Sequence, residues 1–385
     1  MRVAFVVQRY GVEVAGGAEA LCRRTARALS DAGHEVVVHT TTARDYLTWA
    51  PHYAAGDELD GPVHVVRYPV ETPDPQRAAA LVRTLGLRPG TAGEESAWAL
   101  AQGPVSRSLV DAVSRDSAAV VVCWTYLYAT TQLTIPLVRR RSVLVPLAHD
   151  EPMLRFDLTR GVVHSAGGFA FVTPEERTLV DQRFGVGERP DAIVGTGLDT
   201  PSIGDPRRAR GAWALPERFA LYVGRVDQAK GVDALVRHHA AYRALGGELG
   251  LVLAGRAVGN LRLPEWVVQT GFVDDTARSD LLAASEVLVI GSRYESLSLV
   301  LLEAWQAARP TLALASAAVL AGQTARAGGG LVYSDEGTYA RQLERLAKDP
   351  NLRADLASAG LAFTRALTWD ACALRWEGLL QSVAA

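Results

Sequence analysis

The chain has 385 residues, of which 49% are hydrophobic, so it is long enough to bury the cores of two domains. Its 40 Lys and Arg residues nearly balance 42 Asp and Glu residues, and the resulting net charge of −2 argues against nucleic-acid binding, which needs a basic surface. Cys22, Cys123 and Cys372 are few, distant and odd in number, which indicates neither a disulfide framework nor a zinc cluster and favours a reducing, cytoplasmic location.

The N-terminal stretch MRVAFVVQRY predicts a strand. Its apolar run meets Gln8 and Arg9 too early for a secretory signal peptide. No stretch approaches the roughly 20 apolar residues that a membrane-spanning helix needs, so we expect a soluble protein.

The first half of the chain alternates short apolar runs with helical patterns. Residues 2–8 predict a buried strand, residues 18–32 a helix that Gly33 ends, and residues 35–41 a second strand, which together form a βαβ unit. Further strands are predicted at residues 63–70, 118–124, 142–148, 168–172 and 191–194.

A second alternation follows a linker. Residues 195–210 are rich in Gly, Pro and Asp and lack an apolar period. Beyond them we predict strands at residues 218–225, 249–256, 286–292 and 311–316, with helices at 231–245, 276–284 and from Ser298 onward. The expected fold is α/β, with two Rossmann-like domains, residues 1–196 and 205–368, facing each other across a cleft. The sequence does not decide where the last helix packs; one arrangement places residues 370–385 back on the first domain.

The segment GRVDQAKG follows the strand that ends near residue 223. Arg225 and Lys230 put two cations beside flexible glycine backbone at the start of a helix, a combination that suits a phosphate group. The alternative is a solvated basic loop.

A glycine pair follows the first strand. Gly16 and Gly17 precede a helix, where backbone N–H groups can hold an anion. The spacing is not the Gly-x-Gly-x-x-Gly of dinucleotide-binding proteins, and a tight turn is the alternative.

The segment SRYESLSLVLLE places Glu295 in a loop and Glu303 eight positions later in an apolar helix. Carboxylates there can accept hydrogen bonds from sugar hydroxyls. Alternatively, Glu295 favours the helix dipole and Glu303 lies on a solvent face. Asp274 and Asp275 are interpreted as the N-cap region of a helix and not as a metal-binding pair.

Taken together, these segments resemble the retaining glycosyltransferases of the GT-B fold, most closely family 4. The family's hallmarks are G-R-x-x-x-x-K-G and, after a strand, P-S-x-x-E-G followed by E-A. Arg225 and Lys230 match the first hallmark, and Glu295 and Glu303 match the two acids. The GGAE segment that begins at Gly16 resembles the family's glycine loop, and Gly197-Leu198-Asp199 its hinge.

The resemblance implies a metal-independent transfer of a sugar from a nucleotide-diphosphate sugar, without a cofactor. Arg225 and Lys230 would stabilise the departing diphosphate, Glu295 would hold the donor sugar and Glu303 the ribose. His149, at a strand end, matches a histidine that relatives place near the sugar, although such a residue is also commonly structural. The resemblance further implies donor contacts at Gly16, Gly17, Gly224, Arg256, Phe272, Val273, Ser298, Leu299 and Val300.

Some positions depart from the family pattern. Gly291-Ser292 stands where the family has Pro-Ser, and Ser296 where it has Gly. Side chains there remain short, so close approach of a phosphate is not excluded, but the identity of the donor is left open.

Other enzyme classes on this fold remain as alternatives, namely a nucleotide-sugar epimerase or phosphorylase, as does a non-catalytic nucleotide-sugar-binding protein. UDP is the favoured nucleotide and GDP the second choice. The acceptor hydroxyl, the pathway (polysaccharide, glycolipid or secondary metabolite) and the oligomeric state are not encoded in any recognisable motif. Arg139, Arg140 and Arg141 leave open a weak peripheral membrane contact, although solvated helix ends are the favoured explanation of these residues.

Overall fold

The computed structural model describes residues 1–14, 16–88 and 90–385, without the side chain of Leu87. Ala15, in the predicted glycine loop, and Pro89 lie outside the described residues. The chain forms two compact units, Met1–Gly197 with Trp369–Ala385 and Leu198–Thr368. The change of unit falls within the segment 195–210 that the sequence predicts as a linker.

The first unit contains an eight-stranded sheet with the order β3-β4-β2-β1-β5-β6-β7-β8. All neighbouring strands are parallel except β3 and β4. The strands are β1 Arg2–Val6, β2 Glu35–Thr41, β3 Gly56–Asp60, β4 Val63–Tyr68, β5 Val120–Trp124, β6 Ser142–Val145, β7 Gly168–Phe171 and β8 Asp191–Ile193.

Eight helices belong to this unit within its described residues. They are α1 Gly17–Asp31, α2 Pro75–Leu87, α3 Ala92–Gln102, α4 Arg107–Arg115, α5 Ala129–Val138, α6 Asp157–Ser165, α7 Pro174–Phe184 and, from the end of the chain, α15 Trp369–Ala384. Helix α15 packs on α1 and on the sheet, and Arg375 Nε donates a hydrogen bond of 2.8 Å to the carbonyl of Val194.

The second unit contains a six-stranded, fully parallel sheet with the order β11-β10-β9-β12-β13-β14. Its strands are β9 Phe219–Val223, β10 Gly250–Ala254, β11 Val267–Gly271, β12 Val287–Ile290, β13 Thr311–Leu314 and β14 Gly330–Tyr333. Its helices are α8 Pro206–Ala212, α9 Val232–Ala244, α10 Asp275–Ala284, α11 Leu299–Gln306, α12 Ala318–Ala327, α13 Glu336–Lys348 and α14 Pro350–Thr364.

The strand order of the second unit determines where a ligand site can form. From β9 the chain builds the sheet first through β10 and β11 on one side and then through β12, β13 and β14 on the other. The loops that follow β9 and β12 therefore diverge at a topological switch point, where ligands of open parallel sheets bind. Strand β12 (VLVI) is completely buried, as a strand covered by helices on both faces must be.

Candidate functional site

The loop after β9 is held against the loop after β10 through backbone contacts. Val226 N donates to the carbonyl of Arg256 at 3.0 Å, and a Cβ at Gly255 would lie only 1.8 Å from Gly224 O. Gly224 has φ +147°, a value that favours glycine. These contacts bring the predicted donor residues Gly224, Arg225 and Arg256 together at the end of the sheet.

Asp227 contacts both residues that are predicted to bind phosphate, the side chain of Arg225 and the backbone of Lys230. Its Oδ2 lies 3.3 Å from Arg225 Nε, and its Oδ1 accepts a hydrogen bond of 2.8 Å from the backbone N–H of Lys230. Asp227 itself is buried, whereas the side chain of Arg225 is 41% exposed and accessible to a ligand. Asp227 lies inside the GRVDQAKG segment, but only the fold shows that one carboxylate contacts both positions.

Two glycines bring Lys230 to the loop after β12. A Cβ at Gly231 (φ +69°) would lie 2.1 Å from Gly291 O, and a Cβ at Gly291 would lie 3.1 Å from Gly231 O. This close backbone approach allows Lys230 Nζ to lie 2.8 Å from Glu295 Oε1. Packing thus requires a glycine at position 231, whereas a side chain at position 291, a departure from the family pattern, would meet a tight contact.

Helix α11 presents its N-terminus beside Glu295. Ser298 is its N-cap residue, is buried, and makes no side-chain hydrogen bond to the first turn. The N–H groups of Leu299 and Val300 belong to the first helical turn, which has no intrahelical acceptors for them. Hence they are suitably placed to donate to an anion.

Glu303, one turn further along α11, contacts a cation that the sequence did not predict. Its Oε1 lies 3.1 Å from Arg278 Nη2, and the side chain of Glu303 is 20% exposed. The alternative of a freely solvated glutamate on an outer face is therefore wrong. Phe272 and Val273 lie on the loop between β11 and α10; Phe272 is 72% exposed, whereas Val273 packs on the core. Asp274 caps α10 by accepting from Ala277 N at 2.8 Å, as predicted.

In the first unit, the glycine pair borders a buried ion pair. Glu19 Oε1 accepts hydrogen bonds from Gln8 Nε2 at 2.8 Å and from Arg9 Nε at 3.0 Å. A Cβ at Gly16 would lie 2.1 Å from Glu19 Oε2, so this carboxylate explains the glycine. At Gly17, the first residue of α1, a Cβ would meet no atom within 4 Å.

His149 follows β6 and lies next to a buried glutamate. Its Nδ1 is 3.6 Å from Glu151 Oε1, which also accepts a hydrogen bond of 2.5 Å from Tyr126 OH. Burial raises the pKa of Glu151, and the Tyr126 hydrogen bond acts in the opposite direction.

A second buried carboxylate, Glu176, supports the same loop. Its oxygens accept hydrogen bonds from Ala148 N at 2.8 Å and from Val172 N at 2.7 Å. Burial raises the pKa of Glu176 to about 8. Glu151 and Glu176 carry no signal in the sequence beyond being acidic residues near strand ends.

Two other kinds of feature, a metal site and a membrane-spanning helix, are absent from the described residues. No group of three or more His, Cys, Asp or Glu residues there is arranged to hold a metal ion. No described helix combines the length and the apolar character needed to cross a membrane.

Residues 205–362 match the family described as glycosyl transferases group 1. The matched region lies within the second unit. The match contains all the site residues of this unit, from Gly224 to Glu303, and confirms the resemblance that the sequence motifs indicate.

Among curated proteins, the chain is similar to a D-inositol 3-phosphate glycosyltransferase of Salinispora arenicola. The two are 31% identical over 249 residues, which cover 57% of this chain and 56% of the relative. The chain therefore spans little more than half the length of this relative.

Solved structures support the fold over nearly the whole chain. Sucrose-phosphate synthase from Thermosynechococcus elongatus has a TM-score of 0.72 at 18% identity and covers 99% of this chain and 98% of its own. Anabaena HepE, solved in complex with UDP, has a TM-score of 0.69 at 15% identity, with 99% and 100% covered. The predicted α/β fold with two Rossmann-like domains, the GT-B fold class, is confirmed.

Proposed function

We propose that the chain is a retaining, metal-independent glycosyltransferase that moves a sugar from a nucleotide-diphosphate sugar to an acceptor hydroxyl. One observation carries the proposal: Lys230 Nζ lies 2.8 Å from Glu295 Oε1 at the switch point of a unit that matches the group 1 family. A cation for the diphosphate and a carboxylate for the sugar thus meet at one place.

The charges of the second unit support a division of roles. Arg225 and Lys230 are placed to stabilise the negative charge that grows on the departing diphosphate, which is why no metal ion is invoked. Glu295 accepts hydrogen bonds from hydroxyls of the donor sugar, and Glu303 from those of the ribose. Backbone N–H groups near Leu299 add donors for the phosphates.

The reaction that fits these residues needs no enzyme nucleophile. The acceptor oxygen forms a bond to the anomeric carbon on the face from which the diphosphate leaves. The bond between this carbon and the phosphate oxygen breaks, and that oxygen takes the proton of the acceptor hydroxyl. The anomeric configuration is retained.

The first unit is proposed to bind the acceptor, as the resemblance to GT-B glycosyltransferases implies. Gly16 and Gly17 would present backbone N–H groups to the donor phosphates, and His149 would contact the donor sugar. UDP is the favoured nucleotide, since a relative in fold was solved with UDP. The proposed acceptor is a hydroxyl of a polysaccharide, a glycolipid or a secondary metabolite. The proposed location is cytoplasmic, with an optional weak contact to a membrane surface.

A donor screen of the purified chain tests this function. We expect UDP or GDP to raise the thermal unfolding temperature of the chain. With the matching nucleotide sugar, the chain should release nucleotide slowly by hydrolysis, and faster when an acceptor is added. Lys230→Ala and Glu295→Ala should abolish the release, whereas Arg237→Ala, on an exposed face of α9, should not. If neither UDP, GDP nor ADP shifts the unfolding temperature, the donor role is wrong. Tight binding of a sugar nucleotide without turnover of any acceptor favours a non-catalytic binding protein instead.

A further inference from the structure

Arg278 is a cation of the second unit that no family motif includes. It lies one turn into α10, and its Nη2 contacts two carboxylates, Asp275 Oδ1 at 3.2 Å and Glu303 Oε1 at 3.1 Å. The side chain of Asp275 is 77% exposed, so water screens this contact. Those of Glu303 and Arg278 are only 20% and 27% exposed, so the contact with Glu303 is the stronger one.

The Arg278 guanidinium retains hydrogen-bonding capacity beyond this pair. A guanidinium carries five N–H groups in a rigid plane, and both contacts use Nη2. Within the described residues, Nε and Nη1 of Arg278 donate no hydrogen bond. Glu303 thus fixes the position of a planar donor group whose other edges remain available to a ligand.

The chemistry of a nucleoside defines what lies beside Glu303. If Glu303 holds the ribose hydroxyls, the base is attached to the carbon next to the one that bears the 2′-hydroxyl. The edge of the base that faces the 2′-hydroxyl carries a hydrogen-bond acceptor, which is O2 in uracil and cytosine and N3 in adenine. Guanine also has N3 at this edge, but it carries an amino donor beside it. A guanidinium meets an acceptor favourably and an amino group unfavourably.

We propose that Arg278 determines which nucleotide the site accepts. Held by Glu303, it donates from Nε or Nη1 to the ribose-side acceptor of the base, so that UDP binds well and GDP is disfavoured. The exposed ring of Phe272, on the loop that leads into α10, offers a face on which the base stacks. The proposal rests on the proposed function and adds a residue to it that selects the donor.

The test is a titration calorimetry series on the full chain with UDP, 2′-deoxy-UDP, ADP and GDP. The wild-type chain should bind UDP about tenfold or more tightly than GDP. This ratio is expected because GDP loses the hydrogen bond from Arg278 and places the guanine amino group against the N–H groups of Arg278. Arg278→Leu should weaken UDP but not GDP, so that the ratio falls toward one. Arg278→Lys, which keeps the charge but not the planar fork, should retain part of the ratio.

Matched variants separate this role from a structural one. Asp275→Ala removes the exposed partner of Arg278 and should leave the ratio unchanged. Glu303→Gln should weaken UDP more than 2′-deoxy-UDP. If Arg278→Leu changes UDP and GDP equally, or if the folded wild-type chain binds both with one affinity, Arg278 does not select the base. Should Arg278→Leu fail to fold, Arg278→Lys decides by the same ratio. If no nucleotide binds the wild-type chain, the proposed function itself is contradicted. This outcome differs from binding without selection between UDP and GDP, which contradicts only the role of Arg278.

Discussion

Lys230 Nζ lies 2.8 Å from Glu295 Oε1, and the two residues come from loops that follow the neighbouring strands β9 and β12. The cation proposed for the diphosphate is therefore paired with the acid proposed for the donor sugar. A nucleotide that enters the site must exchange this partner for its own phosphate oxygens. The ion pair keeps the lysine in place and at the same time competes with the ligand.

This competition predicts opposite effects of Glu295→Gln on binding and on transfer. Without the carboxylate charge, Lys230 is available to the phosphates, and UDP should bind about two- to fivefold more tightly, as expected for a partly exposed pair. Nucleotide release should fall, because the amide offers the sugar hydroxyls one neutral acceptor oxygen in place of the charged carboxylate. Calorimetry with UDP and a nucleotide-release assay measure the two effects. Glu265→Gln, on the exposed surface, serves as the control. Weaker binding of UDP by Glu295→Gln would show that the pair does not compete.

The close approach of Gly231 and Gly291 predicts a large cost for a single methyl group. Gly231→Ala places a Cβ 2.1 Å from Gly291 O in addition to the strain of its φ of +69°. Gly231 precedes helix α9 and Gly246 follows it. Gly246 has φ +90°, but a Cβ there would meet no atom within 4 Å, so Gly246→Ala measures the cost of the backbone strain alone. We expect Gly246→Ala to cost about 1 kcal/mol and Gly231→Ala at least about 2 kcal/mol more in free energy of unfolding. Urea denaturation compares them; equal costs would contradict the packing argument.

The sequence predicts most of the strands but not β3, β11 or β14. Strands such as β9 and β12 are buried on both faces and are therefore recognisable. Strand β3 (GDELD) is polar and almost entirely exposed, and it exists only because β4 offers an edge to pair with. No individual element is predicted for the segment 71–96, which contains α2 and the start of α3.

For the site, the sequence indicates single residues but not their partners. Glu303 is recognisable by its spacing from Glu295, whereas its contact with Arg278 depends on how α10 packs beside α11. Asp227 contacts Arg225 and Lys230 because the loop folds back on itself. Such pairings depend on strand order and loop geometry, which no local pattern contains, and the roles of these residues stay predictions.

Glu176 predicts a pH dependence of the stability of the first unit. Burial raises its pKa from the ordinary value of 4.5 to about 8. Between these values the folded chain keeps a proton that the unfolded chain has lost. The contribution of Glu176 to stability is therefore fully present below pH 4.5, falls as the pH rises toward 8, and is constant above it.

The variant Glu176→Gln removes this titration. In the wild type, Glu176 makes the unfolding free energy fall between pH 5 and 8, and this fall should be absent in the variant. At pH 5 the unfolding free energy of the variant should be about 1 to 3 kcal/mol lower than that of the wild type, because the amide NH2 faces a backbone N–H of Ala148 or Val172. Glu175→Gln is the control on the same helix turn. Denaturation at a series of pH values gives both slopes. A Glu176→Gln slope equal to that of the wild type would mean that Glu176 keeps an ordinary pKa.

The contact among Tyr126, Glu151 and His149 predicts a shift in the pH profile of sugar transfer. Tyr126 OH donates to Glu151 Oε1 at 2.5 Å and so favours the charged carboxylate, whose pKa burial raises. Tyr126→Phe removes this bond, and the pKa of Glu151 should rise further. Since the charged carboxylate attracts the His149 ring more strongly than the neutral acid does, the acid limb of the nucleotide-release profile should move to higher pH, while the affinity for UDP stays unchanged. Tyr128→Phe, two residues later, should leave the limb in place. An unmoved limb in Tyr126→Phe would mean that Glu151 does not position His149 for the reaction.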